Sequence, residues 1–403
     1  MSKDERALGF ATIAIHGKRR LHKDEPGPPV RSVSVPIYQS STFVFESAEQ
    51  GARIFAGEEE GYVYTRIGNP TQERLEIEMA FLEGAEAGLA FASGMAAISA
   101  IVFALCRSGD NLVASETIYG GTHKLFRQTL SPLAIEAREL DATRLDCLER
   151  AIDSRTRLVY IETPANPTLQ ILDIEACAGI AHRHGLPLVV DNTFLTPYLQ
   201  NPIHLGADVV VHSATKYIGG HGDTVAGVLV GKKDFVGRVR AEILRDLGGI
   251  VSPFNAWLLL RGLKTLPVRM AKHCENASEV AQFLAFHPKV SAVHYPGLRT
   301  HPQHELGLRQ QRGPGGMIAF ELAGGREAGR VLMNSVELWT LAVSLGDVDS
   351  LIEHPATMTH STYSESELAS AGIPPGMVRL SVGLEDVDDL VYDLKQALGR
   401  IRT

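Results

Sequence analysis

The chain has 403 residues, 44% hydrophobic and 21% charged, which is enough for a large core and for two domains with a terminal arm. A formal net charge of −8 argues against nucleic acid or an anionic membrane as the main partner. Cys106, Cys147, Cys177 and Cys274 form no CxxC pair and no metal-ligand spacing, which predicts a reduced, cytoplasmic protein with neither disulfides nor a metal site.

The charged start MSKDERALGF is not followed by an apolar segment, so no secretory leader is expected. Residues 1–65 read as a mixed, turn-rich arm, with KDEPGPPVRS (23–32) as an exposed loop. From residue 66 short apolar runs alternate with amphipathic stretches. AGLAF (87–91), DNLVAS (110–115), TRLVYIET (156–163), LPLVVDNT (186–193) and ADVVVHS (207–213) are predicted strands. Helices are predicted over 141–152, 174–185 and roughly 253–285. Residues 88–106 are uncharged and long enough to raise the question of a membrane span. Ser93, Gly94 and Ser99 interrupt them and the flanks lack basic or aromatic anchors, so they read as a buried strand, a turn and a buried helix. Strands without polar alternation are buried on both faces, and strand-helix alternation predicts an α/β fold with a mostly parallel sheet. The division expected is an arm (1–65), a large ligand-binding domain (66–262) and a C-terminal domain of mixed α and β character (263–403).

Ligands of such sheets sit beyond the carboxyl ends of the strands. The residues found there are Ser93-Gly94-Met95, Tyr119-Gly120-Gly121-Thr122, ETPANPT (162–168), Asp191-Asn192-Thr193 and Ser213-Ala214-Thr215-Lys216. No GxxxxGK[ST] phosphate loop is present, and GGHGDTVAG departs from GxGxxG at Val225. Nucleoside triphosphate and dinucleotide readings are therefore weak, and so is an NAD-type oxidoreductase. Pyridoxal 5′-phosphate (PLP) fits better, because it needs a lysine for a Schiff base and an acid for its ring nitrogen. Lys216 and Asp191 are that pair. Ser213 and Thr215 offer hydroxyls to the phosphate, Ser93-Gly94-Met95 opens a helix whose N–H groups favour the same anion, and Tyr119 is placed to stack on the ring. Singly, Asp191 reads as a turn residue, Ser93 as an ordinary N-cap and Lys216 as a surface lysine. Their convergence on one sheet edge is what favours the cofactor.

The segments YTRIGNPT (64–71), ASGMAAI (92–98), ETPANPT, VVDNTF and VVHSATKYIGGHGD resemble the signatures of the Cys/Met-metabolism family of PLP enzymes, and the likeness runs from FATIAIHG (10–17) to GMVRLSVGLEDVDDL (376–390). That resemblance implies fold type I: a mostly parallel seven-stranded sheet in a large domain, a smaller α/β C-terminal domain and an N-terminal arm. It implies a homotetramer built as a dimer of catalytic dimers, with Tyr64 and Arg66 reaching the partner's cofactor phosphate and Tyr64 also bordering the substrate. By the same likeness Arg379 grips the substrate α-carboxylate, Ser344 and Leu345 line that pocket, and Asn166 lies against the cofactor ring.

LAVSLGDVDSLIEHPATMTHS (341–361) is most similar to the methionine γ-lyase branch, and Val343 replaces a glutamate common in cystathionine enzymes. The implied activity is γ-elimination from a sulfur amino acid such as L-methionine or L-homocysteine, giving 2-oxobutanoate, ammonia and a thiol. Lys216 would move the protons at Cα and Cβ, and Tyr119 would protonate the leaving sulfur. Two departures point elsewhere: Gly121 stands where that branch has cysteine, and Arg245 where it often has lysine. They keep γ-replacement on an O-acetyl- or O-succinylhomoserine, or a cystathionine γ-lyase or synthase, as alternatives. The space expected beside Gly121 predicts a broad substrate pocket. A non-catalytic binding protein of the same fold would have no need of both Lys216 and Arg379.

Overall fold

The computed structural model describes residues 8–21, 32–358, 368 and 372–401. The loop expected over 23–32 lies, apart from Ser32, outside the described residues, as do the last three residues of the 341–361 segment.

Seven strands form the larger sheet: β1 (Ala87–Phe91), β2 (Asn111–Ser115), β3 (Glu136–Leu140), β4 (Thr156–Glu162), β5 (Leu188–Asp191), β6 (Val209–Ser213) and β7 (Gly227–Gly231). Their order is β1-β7-β6-β5-β4-β2-β3. Only β7 runs against its neighbours β1 and β6; the pairs β6–β5, β5–β4, β4–β2 and β2–β3 are parallel. The valine runs explain why the sheet is covered twice. Val189, Val209 and Val211 enter one apolar layer, with Ile98, Ile101 and Val102 of helix Gly94–Leu105. Val190 and Val210 enter the other, with Leu75 and Met79 of helix Pro70–Glu83. Each such side chain contributes about 1.5–3 kcal/mol on burial.

The smaller sheet consists of β8 (Val290–His294), β9 (Met317–Leu322), β10 (Thr340–Leu341), β11 (Leu351–Glu353) and β12 (Met377–Ser381), in the order β10-β11-β12-β9-β8. Ile318, Phe320, Val378 and Leu380 pack under helices Leu266–Ala285 and Val387–Gly399. Strand alternation then turns Arg379 and Ser381 to the opposite face.

All five expected strands form, β1 with the expected bounds and the other four somewhat shorter. Two further strands escaped the reading. In β3 the residues EAREL are mostly polar, and β7 starts and ends on glycine, so neither carries a strong apolar signal. The helix expected over 253–285 is two, Pro253–Leu263 and Leu266–Ala285, because Pro267 belongs in a first turn and breaks the continuous ladder. The helix expected over 141–152 is shortened to Leu145–Ala151, and Asp141 instead accepts from the Thr143 N–H at 3.0 Å in a turn. Among the described residues no helix is long and apolar enough to cross a membrane, and 88–106 folds as β1, a turn and helix Gly94–Leu105.

Candidate active site

Strands β1, β2, β4, β5 and β6 run in the same direction, so their carboxyl ends deliver loops to one edge. β1 delivers Ser93, whose Oγ accepts from the Ala96 N–H at 3.1 Å and caps helix Gly94–Leu105. That leaves the first-turn N–H groups of Gly94 and Met95 outside the helix ladder. Gly94 abuts β6: a Cβ there would stand 3.0 Å from the Ser213 Cα, so a side chain would push the two loops apart.

β5 ends on Asp191, which is 8% exposed. Its Oδ1 accepts from the Thr193 N–H at 3.0 Å and from the Thr193 hydroxyl at 2.6 Å, and its Oδ2 accepts from the Tyr160 hydroxyl at 3.2 Å. Burial nevertheless raises its pKa, the bonds from Thr193 opposing. A cationic ring nitrogen would offset that cost. On the opposite face of the sheet, Glu83 and His212 form a wholly buried pair at 2.6 Å, and Asn192 donates to the same glutamate oxygen at 3.0 Å.

Lys216 lies in the turn after β6, its N–H donating to the Ser213 carbonyl. Its Nζ donates to the Ser344 Oγ at 2.6 Å. Burial, then the charge of Arg379, pull its pKa down to about 8, with Glu353 opposing. The lysine is thus poised to react in its neutral form. The Thr215 hydroxyl donates to the Ala226 carbonyl at 3.2 Å and accepts from the Ala226 N–H at 3.1 Å, which secures the start of β7. The Ser213 N–H donates to the Thr193 Oγ1 at 2.9 Å, so the loops of β5 and β6 are joined.

From the smaller sheet comes Arg379, 4% exposed. Its Nη1 donates to the Asn166 Oδ1 at 2.9 Å and lies 3.0 Å from the Glu353 Oε1; its Nη2 donates to the Ser344 carbonyl at 2.7 Å. Burial lowers its pKa and Glu353, its cross-strand neighbour on β11, opposes that. Ser344 takes a left-handed φ of 99° while bonding Lys216 through its hydroxyl and Arg379 through its carbonyl. Such a conformation in a non-glycine residue costs about 1–3 kcal/mol. Leu345 behind it is buried, and the Gly346 N–H donates to the Ser381 Oγ at 2.8 Å.

Asn166, Lys216, Ser344 and Arg379 therefore form one hydrogen-bonded set at the edge where Asp191 and the capped helix end. Tyr64 and Arg66 sit elsewhere in the chain. Tyr64 makes a β-bridge with Thr42 and is 41% exposed. Arg66 lies 5.6 Å from the Tyr64 ring centroid and donates to the Arg245 carbonyl. Tyr119 is half-exposed, with its N–H on the Glu162 Oε2 at 2.8 Å. The space expected beside Gly121 is not open: a Cβ there would come within 2.4 Å of the Tyr119 Cε1, because the phenol ring folds onto that glycine.

Sequence reading placed Glu162 and Thr193 at the ligand edge without giving them a role, and missed Glu353 and Tyr160. Three had a signal. Glu162 ends an apolar strand inside ETPANPT, Thr193 follows Asp191 directly, and Glu353 follows the apolar Leu351 and Ile352. A carboxylate placed at the end of a buried run needs a partner. Tyr160, inside a strand, had none.

The donor set fits PLP: a lysine of lowered pKa, a buried carboxylate awaiting a cation, and a capped helix N-terminus at the same sheet edge. Comparison with known proteins agrees. The family model of Cys/Met metabolism PLP-dependent enzymes matches residues 11–399. An L-methionine gamma-lyase of Porphyromonas gingivalis is 50% identical over 392 residues, covering 97% of each chain, and one of Pseudomonas putida is 51% identical over 391 residues, again 97% of each. The crystal structure of a putative O-acetylhomoserine (thiol)-lyase from Campylobacter jejuni, which carries N'-pyridoxyl-lysine-5'-monophosphate, is 40% identical with a TM-score of 0.93, covering 97% of this chain and 100% of that one. The fold implied by the sequence resemblance is thus the fold found, and the chain belongs to the Cys/Met-metabolism family of PLP-dependent enzymes.

Proposed function

We propose that the chain is a PLP-dependent carbon–sulfur lyase that removes the γ-substituent of L-methionine or L-homocysteine, releasing a thiol, ammonia and 2-oxobutanoate. The observation that carries this reading is the Lys216–Ser344–Arg379 link, which sets a reactive amine and a carboxylate-binding guanidinium on either side of one residue. The L-methionine gamma-lyase relatives at 50% and 51% identity support the choice of substrate.

Lys216 would hold the cofactor covalently and Asp191 would face its ring nitrogen. Ser93, Gly94, Met95, Ser213 and Thr215 would surround its phosphate, Tyr119 would stack on the ring, and Asn166 would border it. When bound, PLP supplies an electron sink for negative charge developing on the substrate's carbons. Arg379 takes the α-carboxylate in a bidentate grip, oriented by Asn166, Glu353 and the Ser344 carbonyl. Leu345 and Gly121 border the side chain of the substrate. Lys216, as a free amine, would take the Cα proton and then move protons at Cβ. Tyr119 hands a proton to the departing sulfur.

A second reading, γ-replacement on an O-acylhomoserine, is favoured by Gly121 and by the name of the Campylobacter relative. Product identity separates the two. On L-methionine without an acceptor thiol, 2-oxobutanoate should form in step with the released thiol. If product forms only when an O-acylhomoserine and a thiol are both supplied, and is a thioether amino acid, elimination is the wrong reaction.

Fold boundaries at 65/66 and 262/263 belong to the same proposal, as do a cytoplasmic location and a homotetramer of two catalytic dimers. The exposed Val44, Phe55 and Tyr64 of the arm region, together with Leu247, support an extensive contact with a second copy. Tyr64 and Arg66 would then serve the partner's site. Mixing Arg66→Ala subunits with Lys216→Ala subunits should restore part of the activity, since one hybrid site carries neither change. Verified hybrids with no recovery would remove the trans assignment.

A further inference from the structure

Glu162 closes β4 next to the wholly buried Ile161 and is itself 5% exposed. Asp191 occupies the paired position on β5, so two carboxylates stand side by side at the sheet edge. Burial and that neighbour push the Glu162 pKa up to about 8. What the side chain receives in return is specific. Its Oε2 accepts the Tyr119 N–H at 2.8 Å and its Oε1 accepts the Asn166 N–H at 2.8 Å.

These two donors belong to different loops with different tasks. Tyr119 carries the ring that lies against Gly121 at the start of helix Gly120–Lys124. Asn166 carries the amide oxygen that receives the Arg379 Nη1 at 2.9 Å. One carboxylate thus fixes the backbone of both, one on each oxygen.

We propose that Glu162 is a positioning residue that sets the Tyr119 ring and, through Asn166, the Arg379 guanidinium in register with each other. Both of its oxygens are engaged by loop N–H groups. The inference rests on the roles given above to Tyr119 and Arg379. It makes the ring seat and the carboxylate seat mechanically dependent, so a change at Glu162 disturbs both, whereas a change at the Asn166 side chain would leave the Tyr119 backbone bond in place.

Glu162→Gln tests it, because an amide has one acceptor oxygen and its NH2 end must face one of the two N–H donors. One loop is released whichever way the amide turns. Glu162→Asp keeps both oxygens but withdraws them by one methylene, and serves as the gentler variant. With PLP-loaded proteins, the measurements are the visible circular dichroism of the cofactor, PLP affinity by titration of the stripped protein, and KM and kcat on L-methionine and O-acetylhomoserine. Glu162→Gln should roughly halve the dichroic signal and weaken PLP binding severalfold. It should raise KM about tenfold on every substrate turned over, since all share the α-carboxylate. Glu162→Asp should fall between it and the wild type, and melting of the stripped protein should shift little. Dichroism, PLP affinity and KM all within twofold of the wild type in Glu162→Gln would overturn the proposal. Should that variant not fold, the same result in Glu162→Asp would overturn it. If the wild type turns over neither substrate, the lyase reading fails by itself, and the dichroism and PLP titration still decide on Glu162.

Discussion

The cofactor half and the substrate half of the proposed site are built on different principles. The cofactor half is made of strand ends. Ser93 and Asp191 close or follow apolar runs, Ser213 and Lys216 lie within five residues of the Val209–Val211 run, and the mostly parallel sheet brings them to one edge by topology alone. The substrate half is made of side-chain bonds. Arg379 arrives from another sheet and is held by Asn166, Ser344 and Glu353, which lie in three separate segments. Backbone geometry thus positions the first half and a polar network the second. A network depends on each of its members, which makes the substrate half the easier to disturb without unfolding anything.

The largest effect should come from the cofactor half. Lys216→Ala removes the proposed covalent anchor and base, and turnover should fall by about 10⁴-fold or more. Borohydride treatment of the wild type followed by peptide mass mapping should place the label on Lys216. Label on another lysine would dissolve the distinction between the halves.

Arg379→Ala should lower kcat/KM by about 2–5 kcal/mol while PLP binding stays nearly constant. If the cofactor were released as well, the halves would not be separable.

Glu353→Gln sharpens the comparison on one atom. Glu353 opposes the fall in the Lys216 pKa, so its neutralisation should lower that pKa below about 8. The neutral amine then becomes available at lower pH. In the stripped protein, the rate of PLP capture should rise with pH through about 8, and the midpoint should move down in the variant. An upward or absent shift would mean that the substrate half does not set the charge of Lys216.

The smallest expected effect is at Gly121. A side chain there must displace the Tyr119 ring, which now occupies the place. Gly121→Cys should change the ratio of kcat/KM between L-methionine and bulkier substrates by about tenfold, or ~1.4 kcal/mol, in favour of methionine. Competition kinetics on identical mixtures measures it.

The same contrast explains what the sequence revealed. Lys216, Asp191 and Ser93 could be found because they follow valine-rich or alanine-rich runs, and period and position suffice for that. Arg379 offered only its apolar surroundings in MVRLSVG, and its role came from family likeness. The bonds of Glu353 to Arg379 and of Glu162 to two loops went unread, because a cross-strand pair and a two-loop clamp exist only once distant segments meet. The ring of Tyr119 shows the limit most clearly. Glycine at 121 suggests a vacant place in a linear reading, and in three dimensions the residue two positions earlier fills it.

The order β1-β7-β6-β5-β4 has a consequence for how the protein comes to be folded. Gly94 and Ser213 abut across the sheet, yet the chain between them contains most of the other strands of that sheet. Contacts of such long sequence separation form late, after the entropic cost of closing the intervening chain has been met. A stretch that includes only β1 and helix Gly94–Leu105 has no seat for PLP, and neither has one that begins after it. The yellow colour of a captured cofactor would therefore mark chains in which the whole sheet is in place. Ligand capture would in turn draw the population toward that state by RT ln(1 + [PLP]/Kd).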